Sequence, residues 1–168
     1  MTTESLVLRL ERVLDAPPER VYAAWTDPAV LRRWWAAQPD WTAADASTDV
    51  RAGGRYRLSM RDLDGGIRSV AGEYIEVEPP RRLKYTWAWE PHDGSDAPGS
   101  VTVVTVEFIA EGSRTRVVLE QRGFVTEPDR DSHDEGWRGC LDNLDRRVIA
   151  AGAEREKGSR SRSGEGTR

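Results

Sequence analysis

Apolar and polar residues alternate along most of this chain, and helical spacing interrupts the alternation near the N-terminus and again near the C-terminus. From Ser5 to Leu14, the side chains of Leu6, Leu8, Leu10 and Leu14 share one face of an extended segment. Asp15-Ala16-Pro17-Pro18-Glu19 predicts a helix start, with Asp15 or Ala16 at the cap and prolines in the first turn. Val21, Tyr22 and Trp25 follow at helical spacing. Asp27-Pro28 ends that helix and opens a second, which carries Val30, Leu31, Trp34 and Trp35.

Strand signals begin at Asp45. Asp49 to Arg51 leads into Gly53-Gly54, a pair that permits a bend at a strand start. Tyr56, Leu58 and Met60 then alternate with Arg55, Arg57 and Ser59. Asp64-Gly65-Gly66 predicts a tight turn, followed by a strand from Ile67 to Val77 that Pro79-Pro80 closes. A further strand runs through Leu83, Tyr85, Trp87 and Trp89. Residues 92 to 99 read as a polar loop, and residues 101 to 109 and 114 to 121 as a hairpin around Glu111-Gly112-Ser113. After Pro128-Asp129 a helical stripe of His133, Trp137, Cys140, Leu141, Leu144 and Val148 predicts a helix of about five turns. Arg130, Asp134, Arg138, Asp142 and Arg146 take its other faces. The expected order is one strand, two short helices, about six antiparallel strands and a long C-terminal helix covering the apolar face of the sheet.

Composition narrows the function. A chain of 168 residues with 32% charged and 38% hydrophobic residues suits one soluble domain. No run approaches the roughly 20 apolar residues of a membrane span, and the first residues carry no signal-peptide pattern. The single cysteine, Cys140, excludes an internal disulfide and agrees with a reducing compartment, so a cytoplasmic location is expected. Net charge is -4, but residues 154 to 168 hold five Lys/Arg and three Asp/Glu, which leaves -6 on residues 1 to 153. We therefore divide the chain into a folded domain, 1–153, and a disordered polar tail, 154–168. An acidic body is a poor match for phosphate backbones, so no nucleic-acid partner is expected, nor membrane insertion.

The rings of Tyr85, Trp87 and Trp89 either fill a core or wall a cavity. Tyr and Trp have polar tips that need partners when buried, which suits cavity walls. The candidate lining set is Trp34, Trp35, Trp41, Tyr56, Met60 and Tyr74, with Tyr85, Trp87 and Trp89. Phe108, Phe124, His133, Trp137 and Leu141 complete it. His133 is the one candidate for proton transfer, because Asp129 lies four residues earlier on the same helix face; the competing reading is a histidine near a helix start. His92 falls in the polar loop and reads as solvated. Two histidines and one cysteine at unrelated spacings make no metal set, so no metal is expected. No Gly-x-Ser-x-Gly elbow is present, Gly53-Gly54 does not open a helix and is no phosphate cradle, and no cofactor is expected. Cys140, on the apolar stripe, reads as a packed small hydrophobe.

Several stretches carry a family resemblance as an ordered set. They are Ala16-Pro17-Pro18-Glu19-Arg20-Val21-Tyr22, Trp25-Thr26-Asp27-Pro28 and Arg33-Trp34-Trp35. Asp49 to Tyr56, Gly72-Glu73-Tyr74, Pro80-Arg81-Arg82-Leu83 and Tyr85-Thr86-Trp87 follow. The set closes with Thr115-Arg116-Val117 and Gly136-Trp137 before Leu141 and Leu144. Over residues 6 to 150 the chain resembles the START-like superfamily, and within it the heat-shock-protein-90 ATPase activator homologue-like family. The resemblance implies an α+β helix-grip fold: a curved antiparallel sheet around the long C-terminal helix, with a cavity between them. It also implies a hydrophobic small-molecule partner, natural-product or lipid-like, held for sequestration or self-resistance; with the ring-lined strand we expect that partner to be aromatic or polycyclic, and the protein to be a monomer or weak homodimer. Two alternatives stand beside it: an enzyme like the polyketide cyclases and dehydratases using the same cavity, and a cochaperone-like binding module.

Overall fold

The computed structural model describes residues 6–91 and 101–152. The expectations for Ser5, His92 and the tail lie outside the described residues. Seven strands form one antiparallel sheet: β1 (Leu6–Leu14), β2 (Thr42–Thr48), β3 (Arg55–Arg61), β4 (Ile67–Glu78), β5 (Arg82–Trp89), β6 (Thr102–Glu111) and β7 (Arg114–Phe124). Helices α1 (Pro18–Thr26) and α2 (Pro28–Trp34) separate β1 from β2, and α3 (Glu127–Leu144) follows β7. Strand order across the sheet is β1-β7-β6-β5-β4-β3-β2. This is the helix-grip fold, with the curved sheet open at β1 and β2.

Local chemistry places each boundary. Pro17, rather than Asp15 or Ala16, is the N-cap of α1, because its φ of -70° is already fixed and Pro18 needs no hydrogen-bond partner at the first helical position. Asp27 both stops α1 and caps α2, its carboxylate accepting from Ala29 N at 2.9 Å. In the β3–β4 turn Asp62 Oδ1 accepts from Asp64 N and Gly66 N, while Gly65 takes φ +81°. Thr126, one residue ahead of α3, caps it by accepting from Asp129 N. Past Leu144 the helix widens into a π turn over Asp145–Ile149.

The alternation at β5 sets which face is inside. Leu83, Tyr85 and Trp87 are buried, Trp89 is half-buried, and Lys84 and Thr86 are less covered. Trp87 meets Trp137 of α3, whose Cys140, Leu141 and Leu144 are also buried, and the same core continues through Leu119, Val104, Val106 and Val117. Two glycines set how closely α3 approaches the segment after α2. A Cβ at Gly139 would lie 1.9 Å from the carbonyl oxygen of Ala37, whereas one at Gly136 would meet only Ala37 Cβ at 3.9 Å.

That difference is testable by chemical denaturation. Gly139→Ala should lower stability by about 1–3 kcal/mol, since backbone must move to admit the methyl group. Gly136→Ala should be neutral or stabilising by up to about 1 kcal/mol through helix propensity. Equal effects at the two positions would refute the close approach at Gly139.

Candidate functional site

A cleft of about 400 Å³ opens between the sheet, α3 and the loop after α2. Its floor is the buried set Trp35, Met60, Ser69, Trp87, Trp137 and Cys140. Its rim carries the half-buried Trp41, Trp89 and His133 with the more exposed Gln38, Arg68 and Glu135. Asp129, Ser132 and Gly136 of α3, Glu90 beyond β5 and Ala37 complete it.

Trp137 is the hub of the aromatic walls. Its ring lies 5.1 Å from Trp87 and 5.6 Å from Trp35, and stacks on Trp25 at 6.1 Å with planes 17° apart. Trp35 meets Trp87 at 5.7 Å, and Trp87 meets Trp89 edge to face at 5.5 Å. Such edge and offset contacts are the favoured geometries of large rings, each contributing roughly 0.5–1.5 kcal/mol beyond burial.

The polar ends of these rings divide them into two groups. Trp25 Nε1 donates to Tyr85 Oη at 3.1 Å, and Trp34 Nε1 to the Ala24 carbonyl at 2.9 Å. Trp137 Nε1 donates to Gln121 Oε1 at 2.8 Å, and Gln121 Nε2 donates onward to Thr102 Oγ1 at 2.8 Å. Trp89 Nε1 donates to His133 Nε2 at 2.9 Å. The buried indole nitrogens of Trp35 and Trp87 have no partner among the described residues. Both residues belong to the cleft floor.

His133 joins sheet to helix at the rim. Because Nε2 accepts from Trp89, Nδ1 carries the proton and donates to the Asp129 carbonyl oxygen at 2.8 Å; the Asp129 carboxylate stands 3.4 Å from the same nitrogen. Phe124 packs on the imidazole at 5.0 Å. On the opposite wall Arg57 makes a two-pronged pair with Glu90 at 2.8 Å, and this hydrogen bonding holds the Glu90 carboxyl below its ordinary pKa. Arg57 also reaches Ser69, whose hydroxyl pairs with Ser59 at 2.7 Å. Arg68 stands 5.1 Å over the Trp41 ring, with Asp62 3.7 Å away. Burial pushes the Cys140 thiol up to about 12, so it is a neutral, packed side chain.

Of the residues singled out in the sequence, Trp35, Trp41, Met60, Trp87, Trp89, His133 and Trp137 come together around the cleft, with Asp129 beside them. Tyr56, Tyr74 and Tyr85 do not. Their rings pack on one another at 5.2–6.0 Å around a gap of about 10 Å³, no larger than a single water. Burial raises the pKa of all three. Trp34 is fully buried against Trp25 and Trp35, Phe108 lies against Tyr22 and Trp25, and Leu141 is fully buried on α3.

The loop bearing Trp35, Ala37, Gln38 and Trp41 is anchored by residues that periodicity left on polar faces or unassigned. Asn143 Nδ2 donates to the carbonyls of Ala36 and Gln38 at 2.8 and 2.9 Å. Arg146 and Arg147 both donate to Pro39 O, and Arg147 also to Trp41 O at 2.7 Å. The π turn brings these consecutive arginines to the same carbonyl. Asn143, lying between Leu141 and Leu144 next to the apolar stripe, was the available sequence signal.

Comparison with known proteins agrees with this architecture. The family model described as Activator of Hsp90 ATPase homolog 1-like protein matches residues 15–148. A crystal structure of the AHSA1 protein from Silicibacter pomeroyi is 26% identical with a TM-score of 0.75, over 87% of this chain and 99% of that one. The solution structure of an AHSA1-like protein from Aeromonas hydrophila is 30% identical with a TM-score of 0.69, over 88% and 94%. A protein from Rhizobium leguminosarum is 31% identical with a TM-score of 0.70, over 84% and 93%. No curated protein matches the sequence significantly. The shared fold is of a kind that binds small hydrophobic ligands, and the chain belongs to the Activator of Hsp90 ATPase homolog 1-like family.

Proposed function

We propose that the cleft binds a hydrophobic, aromatic or polycyclic small molecule and holds it without converting it, as a sequestering protein does. The observation that carries this reading is the pairing pattern of the indoles. Trp25, Trp34, Trp89 and Trp137 have hydrogen-bond partners, whereas the buried indole nitrogens of Trp35 and Trp87, two residues of the cleft floor, have none among the described residues. A buried donor without a partner costs roughly 1–3 kcal/mol. A ring ligand would cover the apolar faces of these indoles, and a carbonyl or hydroxyl oxygen on it would reach either buried N–H after a small shift of the side chains that cover it.

Binding is favoured over catalysis by the state of His133. Both ring nitrogens are engaged, Nε2 by the Trp89 N–H and Nδ1 by the Asp129 carbonyl, so no lone pair is free to take a substrate proton.

An uncharged polycyclic ketone, 9-fluorenone, should quench tryptophan emission saturably at one molecule per chain. Trp87→Phe keeps a ring and deletes the N–H. It should weaken fluorenone by about 3- to 10-fold more than fluorene, which lacks the oxygen. Comparing the two ligands cancels any effect of the smaller ring on packing. No saturable quenching, or equal losses for both ligands, would overturn the reading. Product formation by the wild-type protein that disappears in His133→Ala would make it an enzyme.

A second check is the histidine itself. Nitrogen-15 shifts of His133 at neutral pH should show the Nδ1-protonated tautomer, and Trp89→Phe should leave the proton on Nδ1, where the Asp129 carbonyl still accepts it, while the Nε2 resonance shifts on losing its donor. An Nε2 proton in the wild-type protein would disprove the Trp89 latch.

A further inference from the structure

Resting on the binding reading above, we infer that the cleft selects aromatic ligands carrying a protonated amine at its rim. Most of the charges around the cleft are already paired. Glu90 is neutralised by Arg57, and Arg68 lies beside Asp62 and over Trp41. Elsewhere on α3, Arg130 pairs with Asp131 and Arg138 with Asp134, and these pairs do not line the cleft. Two rim carboxylates are left without a cationic partner among the described residues. Among the described residues Glu135 makes no ion pair, and Asp129 has beside it only an imidazole that is neutral in its hydrogen-bonded form. Asp129 has a structural reason for its place, since acidic groups suit the first turn of a helix. Glu135, two turns further on, has no such reason.

The second observation is what these carboxylates stand beside. The cleft is lined by five indoles, the side chain whose ring face attracts cations most strongly. The protein already makes this contact once, with Arg68 above Trp41 at the same rim. An ammonium group at this rim, near Glu135 or Asp129 and beside an indole face, would combine ring and carboxylate attraction in a partly dry place, while the aromatic body of the ligand filled the indole-walled floor. A carboxylate ligand would meet two like charges there. An acidic body, -6 over residues 1 to 153, supports the same preference at longer range.

Three anthracenes of nearly equal shape test this: 9-(aminomethyl)anthracene, 9-anthracenemethanol and 9-anthracenecarboxylate, each titrated by fluorescence against the full chain. The amine should bind about tenfold more tightly than the alcohol, and the carboxylate most weakly. The amine-to-alcohol ratio should fall as salt is raised. Glu135→Gln should reduce it by about threefold, and adding Asp129→Asn should bring it near one. Equal binding of amine and alcohol, tightest binding of the carboxylate, or a ratio that survives the double substitution would overturn the charge preference and leave the cavity reading standing. If none of the three binds, the cavity reading itself fails and this inference fails with it.

Discussion

The hydrogen bond from Trp137 to Gln121 is the interaction on which the site depends. Gln121 is fully buried on the inner face of β7, where an amide would be costly without partners. It has one on each side, the Trp137 indole and the Thr102 hydroxyl. The bond therefore fixes both the rotation of α3 about its axis and the position of the Trp137 ring. Because Trp25, Trp35 and Trp87 all contact that ring, its placement sets the shape of the cleft floor. An apolar residue at position 121 would still permit a covered sheet, but would leave the Trp137 N–H without this acceptor and remove one of the bonds that select this orientation of the helix.

Two other attachments complete the grip, and each uses a different chemistry. At the rim the neutral imidazole of His133 receives the Trp89 N–H, tying α3 to the end of β5. Beyond the middle of the helix Asn143, Arg146 and Arg147 hold the backbone carbonyls of residues 36 to 41, a segment without regular structure to satisfy them. One helix thus positions two walls of the cleft, the strand wall through side chains and the loop wall through backbone. The close approach at Gly139 lets the loop come near enough for these bonds to form.

The fold was legible because its signals are periodic. Alternation placed Leu83, Tyr85 and Trp87 inward, and the stripe from Trp137 to Val148 marked the buried side of the last helix. The cleft was only partly legible. Trp87 and Tyr85 lie two residues apart on one strand face, yet Trp87 reaches the cleft while Tyr85 is packed among Tyr56 and Tyr74. Periodicity reports the face a residue occupies, and it cannot say where along that face two layers separate. That distance depends on how closely the loop after α2 approaches α3, a matter of Gly139, Ala37 and the arginine contacts, which carry no period. Ala37, Gln38, Ser69 and Glu90 were likewise outside any pattern that marks a cavity. The N-cap of α1 shows the same limit at small scale, since Asp15 and Pro17 are both acceptable starts until the chain leaving β1 fixes the turn.

The choice of indoles for the walls has a physical consequence of its own. Around a cleft of about 400 Å³, flexible aliphatic chains could change rotamer and take up part of the space. Indoles braced against one another, as Trp35, Trp87 and Trp137 are, cannot swing inward without breaking ring contacts on the far side. Each has only two rotatable bonds, so little entropy is lost by holding it still. The floor is therefore open before any ligand arrives, and a rigid flat molecule entering it need not reorganise the protein. Such preorganisation raises affinity by lowering the cost of association. Ring contact, not hydrogen bonding, is what holds Trp35 and Trp87, since their buried N–H groups have no partner among the described residues, whereas Trp137 is held by both.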